Sequence, residues 1–541
     1  MYKIICLDAS IFIKMISDEE TAGPLNYEIV SPAPKIQLLR YFDKPFDFSI
    51  SAARTCYSPR VINTEEVTAD QKQRIGGGCF EGGHHTVFQH ATFSFGLENV
   101  SRHFVWSFLH SHPFYNSEQS SQRYVRLNEI KATIPQIEGK ENQNLYKKAV
   151  TRAWETYNQL TDLLLEDVVK IHEEIFNKKV ADEKERKKLS KKAIEIARYV
   201  TPIAAHTSMV HTISGLTLYR LHKVINTMPT QWEQRIVIGE MVNAVKKADP
   251  DFFMFVQDPV PLEETPEYKF FQEQTQKTQP NSENFISEFD SQLGNYRSKL
   301  VSYLEEGPAL MADAVRATMG LTKNQMSDNE AIDSVLNPSK NVYLTEALNV
   351  STLSPLMRAM NHPYFVFKKK LSHTCDSQNQ RHRMTSASRP VMVFVDTKKP
   401  DYITPYQITR NSEAQKVYDE FMKENWEYKN GLLENGVPIE HAQYVLPNAL
   451  TLRLVESSNY LNLYHKWRLR SCLDAQREIW ELTIEEMEQV GKIFPQLLKY
   501  SGPDCMVRFK AEVRPFCTQG NLWCGQPVWA WKELKFEKRA N

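Results

Sequence analysis

The stretch 377-SQNQRHRMTSASRP-390 combines three arginines with hydroxyl and amide side chains. Arg381, His382 and Arg383 are consecutive, and Ser388 and Arg389 follow a few residues later. Guanidinium groups bind carboxylates and phosphates through forked pairs of N–H donors. The stretch therefore suggests a bound anion, although an Arg-His-Arg tripeptide by itself is more typical of a solvated surface.

A second candidate is 115-YNSEQSSQRYV-125, in which Arg123 and Tyr124 follow a run of hydroxyl and amide side chains. Ser121 and Arg123 could hydrogen-bond a phosphate, the arginine through a bidentate fork. Taken alone, the segment could equally be a polar surface loop, so it needs support from the rest of the chain.

The overall charge gives no reason to expect a polyanionic partner. Lys plus Arg and Asp plus Glu number 66 each, so no global field favours nucleic acid or a membrane surface, and any anion site must be local. No apolar run approaches the roughly 18–20 residues of a membrane span. The eight cysteines include no Cys-x-x-Cys pair, which favours a reduced, cytoplasmic setting.

Two further groups of residues resemble ligand sites. Six histidines crowd into one part of the chain: His84, His85, His90, His103, His110 and His112. A His-x-His pair could present two imidazoles to a transition metal, but no carboxylate or cysteine stands at a suitable third-ligand spacing, and we predict no metal site. The glycines of 76-GGGCFEGG-83 follow no strand-then-helix phosphate-loop pattern, and we predict a turn there.

The chain repeats itself at an offset of about 245 residues. In that register 197-ARYVTPIAAH falls on 442-AQYVLPNALT, and 216-LTLYR falls on 461-LNLYH. Between the copies, the segment from residue 261 to 299 is rich in Pro, Gln, Glu and Thr and is typical of a linker. We predict an appendage at 1–40, repeats at 41–260 and 300–541, and a linker at 261–299.

Each repeat mixes two hydrophobic periods. Residues 145–175, 229–245 and 475–494 repeat apolar side chains at helical spacing, whereas 91–100 and 363–371 alternate like half-buried strands. Leu160, Leu163 and Leu164 are expected in the core. The pattern predicts an α+β fold of two tandem homologous domains, each a mostly antiparallel sheet packed with helices.

Together these pieces resemble the flavin-dependent thymidylate synthases. That family carries an RHR tripeptide followed by S-x-R-Y, then an R-x-V-L-P helix start and an N…L-R…A-Q-W-E-I segment. Here 53-ARTCYS and 85-HTVFQHATFSF resemble its opening, 121-SQRY its nucleotide loop, and 381-RHR its flavin motif. The helix start is matched by 197-ARYVTP and 436-GVPIEHAQYVLP, and the downstream segment by 459-NYLNLYHKWRLRSCLDAQREI.

The two repeats depart from the family in complementary ways. The first has 110-HSH in place of RHR, and Ile225 where the family has an arginine beside the uracil. The second replaces the nucleotide loop with the shorter 384-MTSASRP and has Gln443 opposite Arg198. A fused duplicate could therefore keep one composite site while the symmetry-related site loses its ligand residues.

The resemblance implies a role for each matching residue. FAD would be held by Arg381, His382, Arg383, Asn459, His465 and Thr86, and dUMP by Gln378, Ser121, Arg123, Tyr124, Arg198 and Arg470. Arg470 would also be the catalytic group beside the uracil. Methylenetetrahydrofolate would supply the carbon, reduced flavin the hydride, and NADPH the reducing equivalents. Two chains would assemble as a homodimer that mimics the family's tetramer.

The main alternative is a pseudoenzyme of the same fold, which binds flavin or nucleotide without making thymidylate. The altered segments 110-HSH and 388-SRP favour this alternative. Flavin content and activity toward dUMP distinguish the two.

Overall fold

A computed structural model describes residues 26–123, 126–227, 231–277, 282–532 and 534. Most of the predicted appendage, including residues 1–25, and the predicted site residue Tyr124 lie outside the described residues. Within the described ranges, no helix has the length and apolarity needed to cross a bilayer.

The first half of the chain forms one antiparallel sheet with surrounding helices. Its elements are β1 (Asn26–Val30), β2 (Lys35–Tyr41), α1 (Pro45–Thr55), α2 (Ala69–Glu81), β3 (Thr92–Ser101), α3 (Arg102–His110), β4 (Tyr115–Gln119), β5 (Glu129–Lys131), α4 (Lys140–Phe176), α5 (Glu183–Ala197), β6 (His206–Ser214), α6 (Gly215–Lys223) and α7 (Gln231–Ala248). The sheet order is β2–β3–β6–β4, and β1 pairs with β5 in parallel beside it. Because β2 is part of this sheet, residues 35–40 belong to it.

The second half repeats this arrangement. Its elements are α8 (Pro266–Lys277), α9 (Ser282–Leu293), β7 (Ser298–Tyr303), α10 (Gly307–Met319), α11 (Asp328–Leu336), β8 (Tyr364–Ser372), α12 (His373–Asn379), β9 (Ser386–Ser388), α13 (Tyr406–Thr409), α14 (Ser412–Glu434), α15 (Ile439–Ala442), β10 (Thr451–Asn459), α16 (Tyr460–Arg470), α17 (Arg477–Ile493), α18 (Pro495–Leu498) and α19 (Asp504–Lys510). The sheet order β7–β8–β10–β9 is antiparallel throughout, as in the first half. The α+β prediction is confirmed.

Alternating side chains explain the strands, and serine caps explain where they turn into helices. Along β3, Phe93, Phe95 and Leu97 are fully buried while their neighbours are more exposed. The hydroxyl of Ser101 accepts a hydrogen bond from Phe104 N (2.8 Å), and Ser372 caps α12 in the same way. This strand–cap–short-helix unit carries 110-HSH in one repeat and 381-RHR in the other.

The predicted turn at 76–83 is correct for Gly82 and Gly83, and wrong for Gly76, Gly77 and Gly78, which lie inside α2. A Cβ atom on Gly76 would come within 2.8 Å of Phe46 Cζ and 2.9 Å of Phe255 Cε2. The helix therefore needs a residue without a side chain at that position, so the glycine serves close packing.

The two repeats meet at the segment that the sequence self-comparison singled out. Ile203 N donates to Leu446 O (2.8 Å), Asn448 N donates to Thr201 O (2.8 Å), and Pro202 faces Pro447 in an antiparallel bridge. The self-comparison paired these same segments, so the internal register is confirmed. These contacts relate the two repeats by an approximate twofold.

The predicted helix start at 197-ARYVTP was wrong. In 436-GVPIEHAQYVLP a helix does begin, at Ile439, but it ends at Ala442. Residues Arg198–Val200 and Gln443–Val445 are single 3₁₀ turns that follow the ends of α5 and α15. Pro202 and Pro447 stand shortly after these turns, and the residue before a proline is driven out of helical conformation. The motif therefore ends a helix.

Each repeat has hydrophobic core clusters of its own, and further clusters are formed by both repeats together. One shared cluster joins Trp106 and Tyr199 of the first repeat to Tyr418, Phe421 and Trp426 of the second, all buried. Leu160 and Leu164 belong to it as predicted, with Leu163 packed at its edge. Since both repeats contribute to one apolar core, the geometry between them is fixed by packing.

Candidate active site between the two repeats

Arg123 lies on the loop after β4, and its side chain contacts the second repeat. Its Nη2 donates to Asp474 O at 2.6 Å and to Glu195 Oε2 at 3.2 Å. Its backbone N–H donates to the hydroxyl of Ser121 (3.2 Å), so these two predicted phosphate ligands lie side by side. Asp474 closely follows Arg470 in the chain, which places Arg123 near the predicted catalytic arginine.

A chain of side-chain hydrogen bonds connects Arg198 of the first repeat to Gln378 of the second. Arg198 Nη2 donates to Gln476 Oε1 at 2.7 Å, and the Gln378 amide also donates to Gln476. Gln476 donates in turn to the hydroxyl of Tyr199. Arg198 is only 6% exposed, and burial is the main cause that lowers the pKa of its guanidinium.

We call the region where Arg123, Arg198 and Gln476 join the two repeats the seam. It contains more cations than anions. Glu195 lies beside Arg123, Lys192 and Arg198, and although burial opposes its ionisation, these cations lower its pKa to about 2. Arg102 adds a further guanidinium, which donates to Gln119 Oε1 (3.2 Å) and to Ser120 O (2.5 Å). Burial, with a contribution from Arg198, lowers the pKa of Arg102 to about 9. Such a surplus of buried positive charge is suited to an anionic ligand.

Arg470 contacts two predicted site residues of its own repeat. Its Nε donates to His382 Nε2 (2.9 Å) and its Nη2 donates to Gln378 O (2.9 Å). Because Nε2 accepts this hydrogen bond, we assign the ring proton to Nδ1. Burial above all, with Arg470 and Lys466, holds the pKa of His382 well below its usual range, so the imidazole is neutral at pH 7.

The two arginines of the RHR motif face the first repeat. Arg381 donates from Nη1 to Ser117 O (2.9 Å) and from Nη2 to Glu118 Oε2 (2.7 Å). The Arg383 guanidinium lies 5.1 Å from the centre of the Tyr115 ring. The motif therefore lies against β4, which ends two residues before Ser121.

The remaining predicted flavin ligands are more dispersed. Asn459 Oδ1 accepts from Asn462 N (3.0 Å) and caps α16. His465 Nδ1 lies 3.1 Å from Asn349 Nδ2, and its ring centre is 6.1 Å from that of His382. Thr86 is exposed on the 3₁₀ turn His85–Gln89 of the first repeat. Among the described residues, no hydrogen bond or ring contact joins it to the others, so the fold of one chain does not bring Thr86 to the set.

The residues that correspond by the repeat offset to Arg198 and Arg470 make contacts that stabilise the fold. Gln443, opposite Arg198, is buried and donates to Met392 O (3.0 Å) and Asp396 Oδ1 (3.3 Å). Ile225, opposite Arg470, belongs to the core of the first repeat. Arg389 forms a forked pair with the buried Asp376 at 2.7 and 3.0 Å, so it holds the fold together. This asymmetry agrees with one composite site per chain.

Two residues of the seam were missed by sequence reasoning. Gln476 lies within the quoted downstream segment, yet its role as the link between Arg198 and Gln378 depends on how the repeats pack. Arg102 lies outside every motif, and only its position directly after the strand cap Ser101 could have drawn attention to it. Among the described residues, no three His, Cys, Asp or Glu side chains converge in a group that could hold a metal ion.

Buried histidines at the junction should make the fold acid-sensitive. Burial lowers the pKa of His110 to about 3 and of His373 to about 4, and holds that of His103 well below its usual range. Below about pH 6.5 the unfolded chain binds protons that the folded chain does not. Each such histidine should therefore cost about 1.4 kcal/mol of unfolding free energy per pH unit as the pH falls from there.

Urea unfolding of the wild type and His103→Phe at pH 7.5 and pH 5.5 checks this. The phenyl ring keeps the packing on Trp106 and Tyr444, so the variant should lose less stability on acidification. The exposed His362→Gln serves as the control and should behave like the wild type. Equal pH dependence in all three proteins would contradict the prediction.

Comparison with known proteins identifies the family. The family model described as "Thymidylate synthase complementing protein" matches residues 37–251 and, again, residues 299–496. The chain therefore belongs to this family, that of the flavin-dependent thymidylate synthases, and carries its domain twice as the self-comparison predicted.

Relatives named flavin-dependent thymidylate synthase match one domain's length. That of Clostridium tetani is 30% identical over 227 residues, covering 41% of this chain and 86% of the relative. That of Saccharolobus solfataricus is 29% identical over 214 residues, covering 39% and 78%. The crystal structure of the UMP/dUMP methylase PolB from Streptomyces cacaoi, bound with 5-Br dUMP, covers 42% of this chain and 95% of its own, with 17% identity and a TM-score of 0.32.

Proposed function

We propose that this chain methylates dUMP to dTMP with methylenetetrahydrofolate as the carbon donor, FAD as the cofactor and NADPH as the reductant. One observation carries the proposal. Arg123 and Arg198 of the first repeat are hydrogen-bonded to Asp474 and Gln476 of the second, on the segment that also bears Arg470. The nucleotide-binding and uracil-facing residues of the family thus converge on one seam within a single chain.

The phosphate of dUMP would be bound by the first repeat. Ser121 offers a hydroxyl, while Arg123 and Arg198 offer charge-assisted N–H donors, which bind phosphate more strongly than neutral ones. Among the described residues, Glu195 is paired with Arg123, and Asp474 is paired with Lys192. A dianionic phosphate would compensate the remaining positive charge, and Tyr124, the next residue in the sequence after Arg123, is proposed as a further ligand.

Arg470 would act on the uracil ring. Its guanidinium is held by His382 and by the Gln378 carbonyl, so it is oriented before the substrate arrives. Directed at the N3–C4=O side, it would stabilise negative charge there and make C5 a better nucleophile toward the folate carbon. No cysteine nucleophile is required by this scheme.

The second repeat has groups that fit a flavin. Arg381, His382 and Arg383 are consecutive, and His465 lies near His382, with ring centres 6.1 Å apart. Donors of this kind stabilise a reduced, anionic flavin, and Asn459 would be a further ligand. Among the described residues, the buried His382 Nδ1 and Gln378 Oε1 have no hydrogen-bond partner, so each is available to a ligand. FAD bound there and reduced by NADPH would supply the hydride that completes the methyl group. We further propose a homodimer, in which the exposed Thr86 of one chain reaches the flavin held by the partner.

One observation favours a pseudoenzyme as the second candidate. Arg381 is already engaged by Ser117 O and Glu118 Oε2, and a guanidinium so engaged has fewer N–H groups for flavin. Glu118 is 82% exposed, so this contact is weak and can be exchanged for a ligand at little cost.

Flavin content and chemistry on dUMP test the proposal. The purified protein should be yellow, its flavin absorption should bleach with NADPH, and it should release tritium from 5-labelled dUMP. A protein that binds FAD but releases no tritium would support the pseudoenzyme. A colourless protein that ignores added FAD would overturn both flavin roles.

A further inference from the structure

Beneath the RHR motif, four charged side chains form a closed network inside the second repeat. Lys369 on β8 and Lys466 on α16 each contact both Glu456 on β10 and Glu486 on α17. The Lys369–Glu486 and Lys466–Glu456 distances are both 2.6 Å. All four side chains are at most 2% exposed. We call these four residues the buried quartet.

The buried quartet is joined directly to the candidate flavin site. Asn379 Nδ2 donates to Glu456 Oε2 (2.5 Å), and Asn379 lies between Gln378 and the RHR motif. Asn379 O in turn accepts from His382 N (2.9 Å), which closes the turn that carries the motif. Lys466 is the neighbour of His465 on α16, the helix that ends at Arg470.

The first repeat shows that the fold does not need these charges. Strand register places His211 at the position of Glu456, because His211 pairs with Phe95 as Glu456 pairs with Phe367. By the same registers and the repeat offset, Leu97, Leu221 and Met241 occupy the positions of the other three. All four first-repeat residues are buried, at 0–3% exposure, three of them in the apolar core.

The difference in buried charge between the two repeats indicates that the charges serve a purpose other than stability. Replacing a buried ion cluster by well-packed apolar side chains is often neutral or stabilising, because the charges no longer have to be desolvated. Here the cluster is intact: despite burial, Lys369 and Lys466 hold the pKa of Glu456 well below its usual range. The repeat that lacks RHR has three apolar side chains and one histidine at these positions, and the repeat that keeps RHR has four charged side chains.

We propose that the buried quartet is a positioning network for the flavin site, a role that rests on the proposed function. Its directional contacts fix the turn Asn379–Arg383 and the helix α16 relative to each other. Apolar contacts are less directional and allow small shifts, and a misplacement of about 1 Å at an active site can cost about 10²-fold in rate. Arg381, His382, His465 and Arg470 therefore keep their mutual geometry through residues that touch no ligand.

The test grafts the first-repeat residues onto the second. The variant carries Lys369→Leu, Glu456→His, Lys466→Leu and Glu486→Met together, and Met241→Leu in the first repeat is the matched core control. We expect the grafted protein to fold with a Tm equal to or above that of the wild type. Its Kd for FAD should rise about tenfold or more, and its tritium release from 5-labelled dUMP should fall by up to about 10²-fold. The control should change neither quantity.

A second variant separates positioning from folding. Asn379→Leu leaves the buried quartet in place and removes its link to the RHR turn, so it should weaken FAD binding and shift the flavin absorption bands at an unchanged folded fraction. If the grafted protein does not fold, the Asn379→Leu variant alone tests the positioning role. Unchanged Kd and spectrum in a folded variant would overturn the positioning role alone. A wild type that binds no FAD would instead overturn the proposed function.

Discussion

Arg470→Ala is expected to lower the rate of tritium release from 5-labelled dUMP by about 10²–10³-fold. Removing one preoriented donor to a developing negative charge typically costs about 3–4 kcal/mol of transition-state stabilisation. Arg470 is held by His382 and Gln378 at 2.9 Å each, so water would not take over its position with the same orientation. Initial rates at saturating dUMP and FAD measure the effect.

The mirror-image residue provides the control for one site per chain. Arg123→Ala should also abolish tritium release, whereas Gln443→Ala should leave the rate per folded molecule close to that of the wild type. Gln443 is turned toward Met392 and Asp396, away from the seam that holds Arg198. A comparable loss of activity in Gln443→Ala would refute the idea of a single composite site, though not the family membership.

Glu478→Ala is expected to lower the unfolding free energy by more than about 3 kcal/mol, because it leaves several buried donors without their acceptor and leaves Arg297 with Glu481 as its remaining carboxylate partner. Glu478 accepts from Arg297 Nη2 (2.5 Å), from Ser372 N (2.8 Å) and Oγ (2.6 Å), and from the Tyr199 hydroxyl of the other repeat. The substitution therefore removes the acceptor that orients Ser372, the N-cap of α12, and an inter-repeat contact together. Urea unfolding at pH 7 gives the value.

Its counterpart in the first repeat is the matched control. Glu233 accepts from Ser101 N (2.7 Å) and from the Tyr444 hydroxyl (2.8 Å) in the same arrangement. No arginine partner of Glu233 appears in the described part of the chain, and burial raises the pKa of its carboxyl. Glu233→Ala should therefore cost less, about 1–3 kcal/mol for buried donors left unsatisfied. Equal losses at the two positions would contradict this explanation.

The family and the duplication could be read from the sequence because they depend on local patterns. The motifs 381-RHR and 121-SQRY, and the match between 197-ARYVTP and 442-AQYVLP, are short runs of residue identities. Helical spacing in 145–175 and alternation in 91–100 reflect local backbone geometry, so α4 and β3 were predicted correctly. The complementary losses, Ile225 in one repeat and Gln443 in the other, were also visible at this level.

Contacts between residues far apart in the chain were decided only by the tertiary structure. Arg198 and Gln476 meet because two proline-containing segments pair across the junction and the repeats share one core. Gly76 lies within a helix, where the absence of a side chain lets Phe46 and Phe255 pack against it. Arg389 looked like part of a nucleotide loop, but it is paired with Asp376. Residue type determines what a side chain can bind, while packing determines which partner is within reach.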